Sequence, residues 1–278
     1  MDVAHKSWHQ LVLNNVSKTY RDTRGDLYAA VRDVSLTIKR GDFYCLLGPS
    51  GCGKSTLLNM IAGFEETSGG QIGFQGQSQN SIAPITGPGA DRAVIFQDVS
   101  AALFPWLSVE ENIALGPKLA NRKRDEYQEP LIRYMTMVGL SRHAHKFPFE
   151  LSGGMRQRVQ IARALIMEPD ILLMDEPFAA LDAITKRLLQ QELARIWEAT
   201  GKTIFYITHD IVEALLLGTH VSVMTAGPAA TIKREVEVTL STPRSHTNPE
   251  FIDLLKELES LLLAEVSVPA SDDELRTT

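Results

Sequence analysis

The fold of this chain is decided by one glycine-rich stretch, Gly48-Pro49-Ser50-Gly51-Cys52-Gly53-Lys54-Ser55-Thr56. An apolar run over Phe43–Leu47 precedes the stretch, and residues 57–62 after it have the composition of a helix. A glycine turn between a strand and a helix presents backbone N–H groups to phosphate oxygens. Lys54 can then reach the β- and γ-phosphates, and Ser55 can hold Mg²⁺. The flanking strand and helix argue against an accidental turn, so we expect a nucleoside triphosphate here.

The length and composition favour one large α/β domain in a reducing compartment. A chain of 278 residues is long enough for a large core, an inserted subdomain and a tail. The net charge of −6 argues against nucleic acid as the main partner, because phosphate backbones attract basic surfaces. Cys45 and Cys52 lie too close in sequence for a stapling disulfide, which indicates a cytosolic setting. We expect neither a spanning helix nor a signal peptide, so another subunit would provide any membrane attachment.

Periodicity places strands and helices alternately along the chain. Half-buried strands are predicted over residues 11–16 and 31–38, with a polar loop up to residue 25 between them. Further strands are predicted at 93–96, 171–174, 203–208 and 221–224, and helices at 153–167, 182–199, 211–217 and 249–265. Residues 98–150 have helical apolar spacing, which indicates a helical insertion. We also expect a loop over 75–89, a short hairpin over 229–240 and a disordered acidic tail from residue 267.

Polar residues follow several predicted strands at the point where each strand ends: Gln97, Asp175, Glu176 and His209. Each taken alone is an ordinary loop residue, but ligands of open parallel sheets bind at the carboxyl ends of the strands. Asp175 is the expected partner of Mg²⁺, and Glu176 can accept a proton from the attacking water or orient it. His209 can contact the γ-phosphate, and Gln97 can sense Mg²⁺ and the water. These side chains therefore predict hydrolysis of the bound triphosphate.

Two further features leave alternatives open. Ser152 is a good helix N-cap, and Gly153 and Gly154 leave the helix N-terminus bare, which suits either a second anion site or an ordinary capped helix. Tyr20 follows the first predicted strand, where it is either an edge or core residue or a platform for adenine. Cys52, inside the phosphate loop, should react with alkylating agents more slowly when nucleotide is bound.

Together these segments resemble the ATPase subunit of ABC transporters, over about residues 11–228. Residues 48–56 match the Walker A loop, residues 151–155 the signature usually written LSGGQ, and residues 171–176 Walker B. Gln97 is similar to the Q-loop glutamine, residues 180–182 to the D-loop and His209 to the switch histidine. Tyr20 is similar to the A-loop aromatic, which favours the adenine platform.

The resemblance implies a P-loop NTPase core with a RecA-like parallel sheet, an N-terminal antiparallel β part and an inserted helical subdomain. It places the ATPase domain at 10–240, with the helical subdomain at 98–158 and a C-terminal helix and tail at 241–278. Two subunits of this family face head to tail around two ATP, so Ser152, Gly153 and Gly154 would complete the partner's site. The residues implied to bind ATP are Tyr20, Gly48, Pro49, Ser50, Gly51, Cys52, Gly53, Lys54, Ser55, Thr56, Ser152, Gly153, Gly154 and Asp182. Glu176, His209, Gln97 and Lys54 are implied in catalysis, and Ser55, Gln97 and Asp175 in binding Mg²⁺.

Residues 87–92, leading into Gln97, and residues 103–107 resemble more closely the importers of nitrate, sulfonate, taurine and bicarbonate. This implies transmembrane permease subunits, an indirect link to a solute-binding protein, and a peripheral position on the cytoplasmic face of the inner membrane. Two departures stand out: Met155 replaces the usual glutamine, and the segment 98–103 is about two residues longer than is common in the family. The alternative function is a soluble ABC ATPase that acts on nucleic acid or on a protein assembly.

Overall fold

The computed structural model describes residues 8–77, 81–241 and 244–266. In chain order the elements are β1 (Trp8–Arg21), β2 (Leu27–Lys39), β3 (Phe43–Leu47), α1 (Lys54–Ala62), β4 (Gly69–Gly76), β5 (Ile82–Pro84), β6 (Arg92–Ile95), α2 (Val99–Ala102), α3 (Val109–Leu119), α4 (Arg124–Met137), α5 (Gly153–Leu165), β7 (Ile171–Asp175), α6 (Ala183–Thr200), β8 (Thr203–Thr208), α7 (Ile211–Leu217), β9 (His220–Met224), β10 (Ile232–Glu237) and α8 (Pro249–Val266). The predicted disorder from residue 267 lies outside the described residues.

A six-stranded sheet in the order β10-β9-β3-β8-β7-β6 forms the centre of the molecule. The strands from β9 to β6 are parallel, and only the edge strand β10 runs antiparallel to its neighbour β9. Strands β3 and β8 are buried along their whole length, because other layers cover both faces of the sheet. The carboxyl ends of β3, β8, β7 and β6 therefore lie side by side at one edge.

A second sheet, antiparallel and four-stranded, has the order β2-β1-β4-β5. Its buried face, which includes Leu11 and Val34, shares one hydrophobic core with α1 and with Tyr44 and Phe205 of the central sheet. A parallel bridge between Val31 and Ala230 ties β2 to the segment after β9. The antiparallel sheet also lies against the end of the phosphate loop, where Val31 and Ala30 approach Gly53 closely.

The helical segment between β6 and β7 packs on the other side of the central sheet. Helix α3 starts with a capping box in which Ser108 and Glu111 each bond to the other's backbone. Its buried Ile113 joins Leu131 and Tyr134 of α4 and Val159 of α5 in the larger core, which also holds β3, β7 and β8. The topology confirms the predicted α/β fold, with its antiparallel part and its inserted helices.

Three predictions of local structure are wrong. Strand β1 continues through Tyr20, which pairs with Tyr28 of β2, because ladder hydrogen bonds hold the strand where its apolar alternation stops. The loop predicted over 75–89 contains β5, which pairs with β4. Residues 229–240 form no hairpin of their own: β10 pairs with β9, which buries Val236 against Val221. The domain limits given above stay a prediction.

Among the described residues, no helix is long and apolar enough to cross a bilayer.

Candidate active site

The glycine-rich stretch forms the turn between β3 and α1. Gly53, the residue before the helix, has a φ of +91°, which an L side chain rarely adopts. A Cβ atom at this position would also lie 2.6 Å from Cγ1 of Val31. The turn therefore needs glycine here, and it leads the chain directly into the helix N-terminus that favours phosphate.

Lys54 is the first residue of α1, and its side chain is buried. Its ammonium donates hydrogen bonds to the carbonyl oxygens of Gly48, at 2.8 Å, and Pro49, at 2.9 Å. These bonds hold the cation against the start of the turn. A buried ammonium at the N-terminus of a helix suits the negative charge of a polyphosphate.

Ser55 and Asp175 meet at the carboxyl end of β7. The Ser55 hydroxyl lies close enough to the Asp175 carboxylate to lower its pKa. Burial raises the pKa of Asp175, and the nearby Glu176 charge adds to this, whereas Ser55 and the Lys54 ammonium act in the opposite direction. A hydroxyl and a carboxylate are oxygen donors of the kind that Mg²⁺ prefers, so this pair fits the ion when phosphate oxygens supply further ligands. The described residues contain no cluster of three or more His, Cys, Asp or Glu that could hold a metal alone.

Glu176 and His209 lie at the ends of neighbouring strands. The Nδ1 atom of His209 is 3.0 Å from Oε2 of Glu176. The Glu176 backbone has a φ of +42°, an uncommon conformation for a residue other than glycine, and its N–H donates to the carbonyl oxygen of Ile207. The histidine side chain is 59% exposed and the carboxylate 19% exposed. A carboxylate and an imidazole in contact beside a phosphate loop can orient a water and a γ-phosphate.

Tyr20 lies beside the end of the phosphate loop, in β1 and not in a loop. Its hydroxyl donates to the Glu65 carboxylate, and the Thr56 side chain lies close enough to lower the pKa of Tyr20. Burial raises the pKa of Tyr20, with the Glu65 bond as the next cause. The Lys18 ammonium lies 5.1 Å from the centroid of the tyrosine ring. Gln97, in contrast, is exposed two residues beyond the end of β6.

The second predicted anion site lies away from the phosphate loop. Ser152 caps α5, and its hydroxyl accepts a hydrogen bond from the backbone N–H of Met155 at 3.3 Å. Ser152 and Gly154 line a cavity of about 310 Å³ together with Thr185 of α6. The described residues lining it include none from the phosphate loop. Asp182 caps α6, where its carboxylate accepts from the backbone N–H groups of Ile184 and Thr185.

The structure also brings together residues that the sequence reasoning missed. Glu213 of α7 is almost fully buried, and Lys186 of α6 contacts both Glu213 and Asp210. The available signal was a glutamate inside the otherwise apolar run of residues 211–217. A buried carboxylate needs hydrogen-bond donors, and these come from parts of the chain that only the fold brings close.

Comparisons with known proteins agree with this geometry. Residues 31–179 match the family model described as ABC transporter. The nitrate import ATP-binding protein NrtD of Synechococcus elongatus is 48% identical over 82% of this chain and 81% of its own length. The taurine import ATP-binding protein TauB of Rhizobium johnstonii is 44% identical, over 91% and 96% respectively.

Solved structures give the same result. The dimeric ATP-binding cassette MJ0796, in a post-hydrolysis state bound to ADP and phosphate, has a TM-score of 0.68 and 32% identity, over 83% of this chain and 100% of that one. The protein cbiO1 of Clostridium perfringens, part of a cbiONQ transporter complex, has a TM-score of 0.72 at 25% identity, over 95% and 97%. The family model, the relatives and the solved structures all indicate the same family. This chain therefore belongs to the ABC transporter family, as an ATP-binding subunit with ATPase activity.

Proposed function

We propose that this chain is the ATPase subunit of an importer for a small anion of the nitrate, bicarbonate, taurine or sulfonate type. The observation that carries the hydrolytic role is the joining of Ser55 with Asp175 and of His209 with Glu176 at adjacent strand ends. The class of solute rests on the relatives, which are named as nitrate, bicarbonate and taurine import proteins at 43–48% identity.

In this proposal each side chain of the site has one role. Lys54 binds the β- and γ-phosphates, and Glu176 orients the attacking water and takes its proton. His209 contacts the γ-phosphate and stays aligned through its bond to Glu176. Ser55, Asp175 and Gln97 would hold Mg²⁺, which neutralises charge on the phosphate oxygens when it is bound. Positioning and electrostatics thus provide most of the rate enhancement.

The adenine would stack on the Tyr20 ring. The Lys18 ammonium lies against this ring, and the hydroxyl is bound at its edge by Glu65. The base therefore takes the face of the ring opposite to Lys18. Base–aromatic stacking of this kind is worth about 1–3 kcal/mol.

A second copy of the chain completes the site. Ser152, Gly153 and Gly154 line up at the N-terminus of α5, where N–H groups and the positive end of the helix dipole favour phosphate. Met155 contributes its backbone N–H to the Ser152 cap, so its side chain is not needed for this geometry. Asp182 caps α6, whose Thr185 lines the same cavity, and would contribute to nucleotide binding from that position.

The permease would contact the inserted helical segment. Trp106 is 69% exposed, and its ring contacts that of Phe104, also partly exposed, at 5.4 Å between centroids. Large exposed aromatic side chains are typical anchors of protein interfaces. The longer segment after Gln97 forms helix α2 next to this pair. Attachment through a permease would place the chain at the cytoplasmic face of the inner membrane, with a solute-binding protein as an indirect partner.

Transport assays in a deletion strain test this proposal. We expect the strain to lose ATP-dependent uptake of one labelled anion among nitrate, bicarbonate, taurine and an alkanesulfonate, and to regain it with the wild-type gene but not with Glu176→Gln. The tagged protein should also co-purify with hydrophobic permease subunits, and Trp106→Asp should prevent this. Unchanged uptake of all four, together with tight DNA binding and no membrane partner, would instead support the nucleic-acid alternative.

A further inference from the structure

A buried acidic network lies behind the proposed catalytic pair. The Glu213 side chain on α7 is 4% exposed. It accepts hydrogen bonds from Gln190 at 3.0 Å, from the Tyr206 hydroxyl at 2.8 Å and from the Thr208 hydroxyl. Three donors from α6 and β8 thus converge on one carboxylate, and all are buried. Such a network fixes the positions of its members, because an unpaired polar group at this depth would be costly.

Lys186 joins this network to the surface. It lies in the second turn of α6, four residues after Asp182, and its ammonium is 2.9 Å from Oδ2 of Asp210 and 3.8 Å from Oε2 of Glu213. Partial burial lowers the pKa of Lys186, but the charges of Asp210, Glu213 and Glu176 outweigh this and leave it above its ordinary value. Lys186 therefore remains a cation between two carboxylates.

The same contacts hold both neighbours of His209. Before it, the Thr208 hydroxyl donates to Glu213 and accepts a hydrogen bond from the backbone N–H of Asp210 at 3.0 Å. After it, Asp210 caps α7 by accepting from the Glu213 N–H at 3.2 Å and binds Lys186 with its other oxygen. His209 itself is exposed and has Glu176 as its side-chain partner. The position of the imidazole thus depends on how its two neighbours are held.

We propose that Lys186 is a positioning residue for hydrolysis, which sets the place of His209 through Asp210 and Glu213. Lys186 lies in the helix that Asp182 caps, so it also links the start of α6 to the His209 segment. A displacement of one of these segments would therefore displace the other. This inference rests on the roles proposed above for His209 and Glu176.

The central experiment is a double-mutant cycle on the full chain, in its dimeric or transporter-bound form. Lys186→Met removes the charge and keeps the length of the side chain. We expect kcat for ATP hydrolysis to fall about tenfold, with KM for ATP changed less than about twofold, because ground-state binding is untouched. In a His209→Ala background, the rate of ATP hydrolysis is measured by single turnover. There the same substitution should lower this rate by less than about twofold. A loss of similar size in both backgrounds would overturn the proposal.

Controls separate positioning from general damage. Lys186→Arg keeps the charge and should recover most of kcat, whereas Arg187→Met, one residue along the same helix and exposed, should leave kcat unchanged. If Lys186→Met does not fold, Asp210→Asn provides the second test, since it can still cap α7 but loses its charge towards Lys186. It should show the same loss of kcat and the same dependence on His209, and independence from His209 would again contradict the proposal.

The outcome also distinguishes this inference from the proposed function. If His209→Ala and Glu176→Gln leave hydrolysis unchanged, the proposed catalytic pair is wrong. If those two variants are slow while Lys186→Met is as fast as wild type, only the positioning role of Lys186 is wrong.

Discussion

At the scale of single residues, the proposed mechanism depends on two side chains that come from separate strands. Glu176 leaves β7 with a left-handed backbone, and this residue meets His209 from the end of β8 at 3.0 Å. Residues other than glycine adopt such a conformation rarely, and they do so often at functional sites. The backbone N–H of Glu176 is paired with Ile207 of β8, so the neighbouring strand holds the carboxylate in place.

Glu176→Gln tests the carboxylate directly. The amide has the same shape but cannot take a proton, so we expect ATP hydrolysis to slow by at least about 100-fold. ATP binding should change less than about twofold, and size-exclusion chromatography with ATP should show a trapped dimer. Glu198→Gln, an exposed substitution on α6, is the matched control. Unchanged hydrolysis in Glu176→Gln would remove this residue from the mechanism.

Cys52 is a second residue whose behaviour follows from its surroundings. Its side chain is fully buried, and burial raises the pKa of the thiol although the Lys54 ammonium acts against this. We therefore expect alkylation at pH 8 to be much slower in the folded chain than in urea, and slower again with ATP bound. A Cys45→Ala variant leaves Cys52 as the sole thiol for this measurement. Equal rates in folded and unfolded chains would contradict the expectation.

At the scale of elements, the packing of α5 on α6 couples the capped glycine turn to the segment after Asp182. A Cβ atom added at Gly154 would lie 2.6 Å from Cγ2 of Thr185, whereas one added at Gly153 would lie 3.3 Å from Leu181 Cδ2. The first distance is too short for two carbon atoms that are not bonded, and the second needs only a small shift of a flexible side chain. A side chain of one carbon can therefore be accommodated at position 153 but not at position 154.

Gly154→Ala should accordingly destabilise the protein, by about 1–3 kcal/mol, because α5 must move away from α6. Gly153→Ala is the matched control, and we expect its effect to lie within about 1 kcal/mol of zero, since alanine also favours the helix. Urea unfolding of both variants gives the two free energies of unfolding. Equal values for the two would show that the contact with Thr185 does not limit the packing.

At the scale of the whole molecule, we propose that one chain carries the parts of two half-sites. The phosphate loop and the strand-end residues would form one half-site, and the Ser152 turn, which lines another cavity with α6, would form the other. The related cassette MJ0796 was solved as a dimer with ADP and phosphate. A head-to-tail pair would bring each loop to the turn of its partner.

Mixed dimers test this arrangement. Ser152→Arg places a bulky side chain at the turn, and Lys54→Ala removes the phosphate cation. With the two substitutions in different subunits, both fall in the same shared site, so we expect one occluded ATP per dimer. With both in one subunit, each site loses one element and neither should occlude ATP. The reverse result would show that each chain forms its site alone.

Much of this molecule was predictable from sequence because the signals are local. The strand, glycine turn and helix around Lys54 are specified by neighbouring residues, and so are the N-caps Ser152 and Asp182. Apolar runs predicted the strands whose ends carry Asp175, Glu176 and His209, since parallel strands buried on both faces need such runs. These local signals were enough to predict the fold class, the phosphate loop and the candidate site residues from the sequence.

Which of these residues come into contact depends on packing between elements that are distant in sequence. Tyr20 became part of β1 because β2 pairs with it, and β10 paired with β9 where a separate hairpin was predicted. The bonds of Glu213 to Gln190 and Tyr206, and of Lys186 to Asp210, join separate elements around His209. Local spacing carries no information about such contacts, because their energy comes from burial and hydrogen bonding between distant segments.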